Sequence, residues 1–387
     1  MSKKSIVYNF SHYDKVELLK TFPLPYYIGK QNNMSVAIVY RADEKSKDLA
    51  EYYRGVHFCP LKFWGIRKTG SLIGEWYFLW FFYMHAHEID VLIRPHFSYL
   101  TIIIGWIYKL RNPKGIFYIF SDGYGLWAAL FRKKTLLVNI KNFFIKKILY
   151  KACNIADKIS VELVDIYNFY KIQEPLSVNQ NKLIHMRLGI DEEILNTYDI
   201  KEYPINQKEK LIISVGRHGS KQKNTELFLD ALKKIDLKDY SVVFIGPVEK
   251  EECDFQSYID TYFVENRELK EKVHFIGAVY DKKELYSWFN RSKIFVHTAI
   301  YESYGIVIGE AFRFNNYILS TDVGCAKELI SMGMGELYPM NDARILAFRL
   351  QQIIDGEIDI QSIYESKPID NKIISWENEV RKLGRFK

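Results

Sequence analysis

The chain has 387 residues, 48% hydrophobic, 16% aromatic and 26% charged, with a formal net charge of +7. That length and apolar content suit two domains with sizeable cores and exclude a disordered chain. Cys59, Cys153, Cys253 and Cys325 are scattered without a CxxC pair; this argues against a disulfide framework or a cysteine metal site and fits a reducing compartment.

From the N-terminus, "MSKKSIVYNF" carries basic residues but no apolar stretch of signal-peptide length. The loop after the first strand, "NFSHYDKVELLK" (9–20), contains no glycine. "MSVAIVYR" (34–41) and "IDVLIRP" (89–95) are expected as strands, the second leading into a helix at 97–110. The longest uncharged apolar run, "PHFSYLTIIIGWIY" (95–108), is too short to span a bilayer. A cytoplasmic chain without a membrane-spanning segment is expected. "KGIFYIFSDGYG" (114–125) reads as a strand with a glycine-rich exit, and "KISVEL" (158–163) follows a long basic helical stretch. "KLIHMRLGIDEEIL" (182–195) closes the first half, and the polar, proline-containing segment 196–210 reads as the linker.

The second half alternates more clearly. Strands are expected at 211–216, 241–246, 273–279, 293–298 and 317–324, with helices at 224–235, 281–290 and 304–314. Such alternation predicts right-handed βαβ units and a parallel sheet in each half, two Rossmann-like domains facing across a cleft. Residues 1–151 hold about 23 Lys and Arg against about 10 Asp and Glu, leaving about 31 against about 37 for the rest. The asymmetry predicts domains with different partners.

In open parallel sheets, ligands sit outside the carboxyl ends of the strands. Two loops qualify. "SVGRHGSKQKN" (214–224) brings Arg217 and Lys223 to a helix N-terminus, where cations, backbone amides and the helix dipole suit a diphosphate. The loop has neither P-loop nor GxGxxG spacing, and alone it is equally a solvated basic loop. "HTAIYESYGIVIGEAF" (297–312) places Glu302 before a helix starting near Tyr304 or Gly305, and Glu310 about one and a half turns inside it. The two carboxylates can then serve different ends, one of them a ribose hydroxyl pair. Gly305 permits close approach to the backbone. Alone, both are ordinary helix-terminus glutamates.

Taken in order, the "GR…KN" loop, the "F-x-G" turn at 275–277, Glu302 and Glu310 with seven residues between them, "STDVG" and "SWE" at 375–377 make the chain resemble the retaining GT-B glycosyltransferases of family 4, with their EX7E motif. The resemblance covers nearly all of 182–380. It implies an α/β GT-B fold: an acceptor-binding domain over 1–200, a nucleotide-sugar domain over 201–370, and a C-terminal helix (371–387) returning to the first. It further implies a metal-independent hexosyltransferase that needs no cofactor, moving a sugar from a nucleotide-sugar, UDP being commonest, to a glycan or lipid-linked acceptor in cell-surface polysaccharide biosynthesis. Arg217 and Lys223 would bind the phosphates, Glu310 the ribose and Glu302 the transferred sugar. Backbone around Ser303, Tyr304, Gly305 and Ile306 would assist, and the base would rest near Ile276 to Val279. Lys221 rivals Lys223, since the loop length departs from the commonest spacing. Asp122 occupies the place of a residue near the reacting sugar, or else caps an Asx turn. His12 and Asp14 are further candidates for the donor site.

No Asp-x-Asp metal motif is present, so the cations and helix amides would stabilise the departing diphosphate. The competing readings are an epimerase or hydrolase relative on the same fold, or a nucleotide- or membrane-binding protein without transfer activity. Nucleic acid is not expected, because the basic residues form no recognisable motif. The stretch 130–151 mixes Arg132, Lys133, Lys134, Lys141, Lys146 and Lys147 with Phe143, Phe144 and Ile145, which predicts peripheral contact with an anionic membrane face.

Overall fold

The structure is a computed structural model that describes residues 4–13, 18, 21–62, 76–121, 123, 136–174, 176–177, 179–250, 254–367 and 369–386; for His12, Lys45 and 136–141 only the backbone is described. The chain divides into two compact units, Met1–Arg187 with Trp376–Lys387, and Leu188–Ser375.

The first unit is built on eight strands: β1 (Ser5–His12), β2 (Ser35–Arg41), β3 (Tyr52–Tyr53), β4 (Val56–Leu61), β5 (Val91–Pro95), β6 (Ile116–Ser121), β7 (Lys158–Val161) and β8 (Leu183–His185). Their order is β3-β4-β2-β1-β5-β6-β7-β8. All neighbours run parallel except the short β3, which pairs antiparallel with β4. The strands read as continuous apolar runs because helices cover both faces of a parallel sheet. The connections from β4 to β5, β5 to β6 and β6 to β7 all step the same way across the sheet. Right-handed crossovers therefore put helices Trp76–His85, Tyr99–Arg111 and Leu136–Ile155 on one face. Phe78, Phe82, Ile104, Tyr108, Leu149 and Cys153 fill the core beneath them.

Helix Pro23–Asn32 steps the other way, and the C-terminal helix Trp376–Arg381 packs against it. Asn32 Oδ1 accepts from the Phe386 amide at 2.7 Å, and Gln31 Nε2 donates to the Gly384 carbonyl at 2.9 Å. Arg187 holds the fully buried Glu379 through its backbone amide (2.8 Å) and its guanidinium (3.0 Å).

The second unit has six strands, all parallel: β9 (Glu209–Val215), β10 (Ser241–Ile245), β11 (Val273–Gly277), β12 (Ser292–His297), β13 (Tyr317–Ser320) and β14 (Gly335–Leu337), in the order β11-β10-β9-β12-β13-β14. After β11 the chain returns to the far side of β9, so the strand order reverses between β9 and β12. That switch point opens a crevice at the carboxyl ends of these two strands.

Segment 196–210 departs from the expected linker. Ile205 lies in the second unit's core. The buried Lys208 ammonium donates to the carbonyls of Phe289 (3.1 Å), Asn290 (2.7 Å) and Ser292 (3.0 Å), capping the C-terminal end of helix Lys282–Arg291. Burial pushes this lysine down to about 7. A polar composition suggested a solvated connection; the polar groups instead serve backbone carbonyls within the unit. The strand Val56–Leu61 and helix Trp76–His85 also lie in a stretch for which the sequence pattern suggested no element.

Candidate active site

The loops leaving β9 and β12 meet at the switch point of the second unit. Thr298 Oγ1 donates to the Lys223 carbonyl (2.7 Å), the Ile300 amide to the Gln222 carbonyl (2.9 Å), and Gln222 Nε2 to the Tyr301 carbonyl (2.9 Å). These bonds hold the basic loop and the glutamate loop as one piece. The β9 loop is anchored from below by His218, whose ring bridges Thr225 Oγ1 (3.3 Å) and the Ile245 carbonyl (3.2 Å). Burial drives this imidazole down to about 4, so it is neutral at ordinary pH. The carbonyl acceptor then assigns the proton to Nε2. Gly246, with φ of +140°, lets the Gly216 carbonyl approach so closely that a Cβ there would lie 1.8 Å from it.

Helix Ile306–Arg313 starts after Gly305, whose φ of +85° is left-handed. Glu302 lies in the preceding loop and Glu310 inside the helix. The two carboxylates have separate surroundings. Glu302 Oε1 accepts from Lys223 Nζ and from His297 Nε2, the latter at 3.1 Å. His297 is 2% exposed, and burial pushes its value down, leaving a neutral ring that donates. Burial works against ionising Glu302, but His297 and Lys223 outweigh it and hold its carboxyl below the ordinary glutamate range. Glu310, also 2% exposed, accepts instead from Lys282 Nζ at 2.5 Å, a residue of the neighbouring helix Lys282–Arg291.

Of the other expected residues, Arg217 is exposed at the loop tip, with Nη2 3.5 Å from Gln222 Oε1. Lys221 is exposed and forms no ion pair among the described residues, whereas Lys223 points to Glu302. Ile276 and Val279 sit at the carboxyl end of the edge strand β11, Ile276 being exposed. Ser303 is exposed; the Tyr304 side chain is buried, its hydroxyl donating to the Leu188 carbonyl (3.2 Å), and its own carbonyl accepts from the amide of Cys325 (2.8 Å), the residue after "STDVG". The amides of Ile306 and Val307, at the start of the helix, have no intrahelical acceptor, as at any helix start, whereas the Ile308 amide donates to the Gly305 carbonyl (2.9 Å). Asp14, Asp122 and the His12 side chain lie outside the described residues.

His297, Lys282 and Gln222 were missed. The position of His297 at the end of a strand pointing to the crevice was a usable signal. Lys282 had none, because its contact depends on how two helices pack. Among the described residues, no group of three His, Cys, Asp or Glu could hold a metal ion.

Residues 196–368 match the family Glycosyl transferases group 1. A Klebsiella pneumoniae protein described as an uncharacterized 41.2 kDa protein in the cps region is 26% identical over 265 residues, 66% of this chain and 67% of that protein. Among solved structures, a glycosyltransferase from Rickettsia africae aligns over 99% of this chain and 97% of its own at 15% identity, with a TM-score of 0.70. HepE of Anabaena, in complex with UDP, aligns over 98% and 99% at 14% identity with a TM-score of 0.65. The lipopolysaccharide outer core galactosyltransferase WaaB aligns over 98% and 99% at 14% identity with a TM-score of 0.64. The chain thus has the GT-B fold, carries a Glycosyl transferases group 1 domain in its second unit, and is a glycosyltransferase.

Proposed function

We propose that the protein transfers a sugar, with retention of anomeric configuration, from a nucleotide-sugar donor to a saccharide or lipid-linked saccharide acceptor in cell-surface polysaccharide assembly. The observation that carries this reading is the meeting of Lys223 and Glu302, from two different βα loops, at the switch point of the second unit. Arg217 and Lys223 would take the diphosphate, with the amides at the start of helix Ile306–Arg313 beside it. Glu310 would accept from the ribose hydroxyls and Glu302 from hydroxyls of the transferred sugar. A UDP-sugar is favoured, in line with the UDP bound to HepE. The cps-region relative and WaaB favour a surface glycan as product.

As the glycosyl–phosphate bond breaks, charge accumulates on the departing diphosphate, and fixed cations stabilise it more than they stabilise the ground state. We read the reaction as metal-independent, with Arg217 and Lys223 supplying that charge. A departing phosphate oxygen would take the acceptor's proton as the acceptor oxygen bonds to the anomeric carbon. In the ligand-free site Lys223 lies on Glu302, so donor binding would divide this lysine between carboxylate and phosphate. Neutral His297 would keep Glu302 ionised and oriented when the lysine turns.

The test is a panel of UDP-, GDP- and ADP-sugars with and without lipid-linked saccharides, following nucleotide diphosphate release and the anomeric proton of the product. Acceptor-dependent release from one donor with a retained anomer is expected. Release that ignores the acceptor would identify a hydrolase, and no release from any donor would overturn the reading.

A further inference from the structure

The helical face of the first unit carries apolar side chains that its core does not use. Helix Trp76–His85 (WYFLWFFYMH) is apolar nearly all round, a pattern normally confined to fully buried or lipid-facing helices. Phe78 and Phe82 enter the sheet core, whereas Trp76, Trp80, Tyr83 and Met84 form a stripe at i, i+4, i+7 and i+8 that faces outward, Trp80 being 59% exposed. Helix Tyr99–Arg111 packs beside it and continues the surface with Tyr99, Trp106 (58% exposed) and Leu110, again on one side. Helix Leu136–Ile155 packs against that one in turn and exposes Phe143, Phe144 and Tyr150. Ile145, expected from the sequence to share this role, is buried in the core instead, because it lies on the opposite side of the helix.

The formal charge carried by the three helices themselves has one sign. None of the three helices contains an Asp or Glu. Arg111 lies over the Tyr83 ring at 4.6 Å and donates to the Tyr83 carbonyl (3.1 Å), and Lys147 lies over Phe143 at 4.6 Å. Lys146 and Lys151 are exposed on the same helix. Exposed tryptophans and tyrosines with long cationic side chains among them match a membrane interface, where aromatic rings sit at headgroup depth and lysines reach anionic phosphates. A second copy fits poorly, because apposing two such faces would oppose cation to cation. No described helix is long and apolar enough to cross a membrane, so the surface suits lying on a bilayer.

We propose that the face formed by helices Trp76–His85, Tyr99–Arg111 and Leu136–Ile155 docks on an anionic membrane surface. The contact is independent of the transfer reaction and is tested without it. The full chain is sedimented with vesicles of phosphatidylglycerol or of phosphatidylcholine, and quenching of its tryptophan fluorescence by brominated lipid is followed in parallel. Binding to phosphatidylglycerol at least tenfold tighter than to phosphatidylcholine, weakened by salt, is expected. The doubly substituted Trp80→Ser, Trp106→Ser protein should lose tenfold or more on both lipids and most of the quenching. The Lys146→Glu, Lys147→Glu protein should lose tenfold or more on phosphatidylglycerol alone. All of these residues are exposed, so melting temperatures should stay close to wild type; a variant that melts early is replaced by the single Trp80→Ser protein. Absence of vesicle binding, binding unaltered in the tryptophan variants, or a concentration-dependent dimer that the tryptophan substitutions abolish while vesicles are ignored would each overturn the proposal.

Discussion

Replacing the two glutamates separately should split binding from turnover. Among the described residues Glu310 pairs with Lys282, and Glu302 with Lys223 and His297. If Glu310 holds the ribose, Glu310→Ala removes a charge-assisted hydrogen bond to the nucleotide, worth about 1–3 kcal/mol, or roughly five- to 150-fold in UDP affinity. Glu302→Ala has a different consequence. It frees Lys223 from its carboxylate, so UDP, which carries no sugar, should bind as tightly as to wild type or somewhat more tightly. Turnover should nevertheless collapse, because a contact to the reacting sugar strengthens in the transition state. The same substitution leaves half-buried Lys223 without its anion and the buried His297 Nε2–H without its acceptor, a loss of about 2–4 kcal/mol in unfolding free energy. Glu302→Gln keeps a hydrogen-bond acceptor, should recover much of that stability, and should remain slow. Calorimetry with UDP, single-turnover rates with the active donor and urea unfolding measure all three quantities. If Glu302→Ala loses as much UDP affinity as Glu310→Ala, or if both variants turn over normally, the division of labour is wrong.

Arg217→Ala should weaken UDP and slow turnover together by tenfold or more while leaving urea stability within about 0.5 kcal/mol, since the side chain is exposed; a stability loss without a binding loss would contradict its role. His218 has a folded value near 4 against about 6.5 unfolded. The stability it contributes is therefore complete above pH 6.5 and is lost as pH falls toward 4, about 2 kcal/mol by pH 5. Urea titrations at pH 7 and pH 5 should show a steeper loss for wild type than for His218→Gln, and equal slopes would count against the buried neutral ring. Gly246→Ala should cost about 3 kcal/mol or more, because both the positive φ and the Gly216 carbonyl refuse a Cβ; a thermal melt with less than about 1 kcal/mol lost would show that the loop gives way.

Much of the second unit was legible in the sequence because its strands are short β-branched runs ending at glycine or a polar turn, as at Gly216, Gly246 and Gly277. The first unit was less so. Its helix Trp76–His85 lacks the polar stripe that marks an amphipathic helix, since its outward face is aromatic too. Segment 196–210 misled by composition, because its Lys208 serves packed backbone carbonyls. At the site, the spacing of Glu302 and Glu310 and the loop position of Arg217 and Lys223 could be read in one dimension. The pairing of Lys282 with Glu310 and of His297 with Glu302 could not, because it depends on strand order and helix packing. Lys223 stands with Glu302, whereas the sequence preferred it for the phosphates but left Lys221 as its rival.

The central claim is that the switch point of the second unit is a nucleotide diphosphate site, and thermal unfolding with added nucleotides tests it most directly. One nucleoside diphosphate, with UDP expected first, should stabilise the wild-type chain by about 2.7 kcal/mol at a hundred times its dissociation constant. That stabilisation should shrink strongly in Glu310→Ala and in Arg217→Ala. If none of UDP, GDP or ADP raises the melting temperature, or if the rise survives both substitutions intact, the donor does not bind at this site.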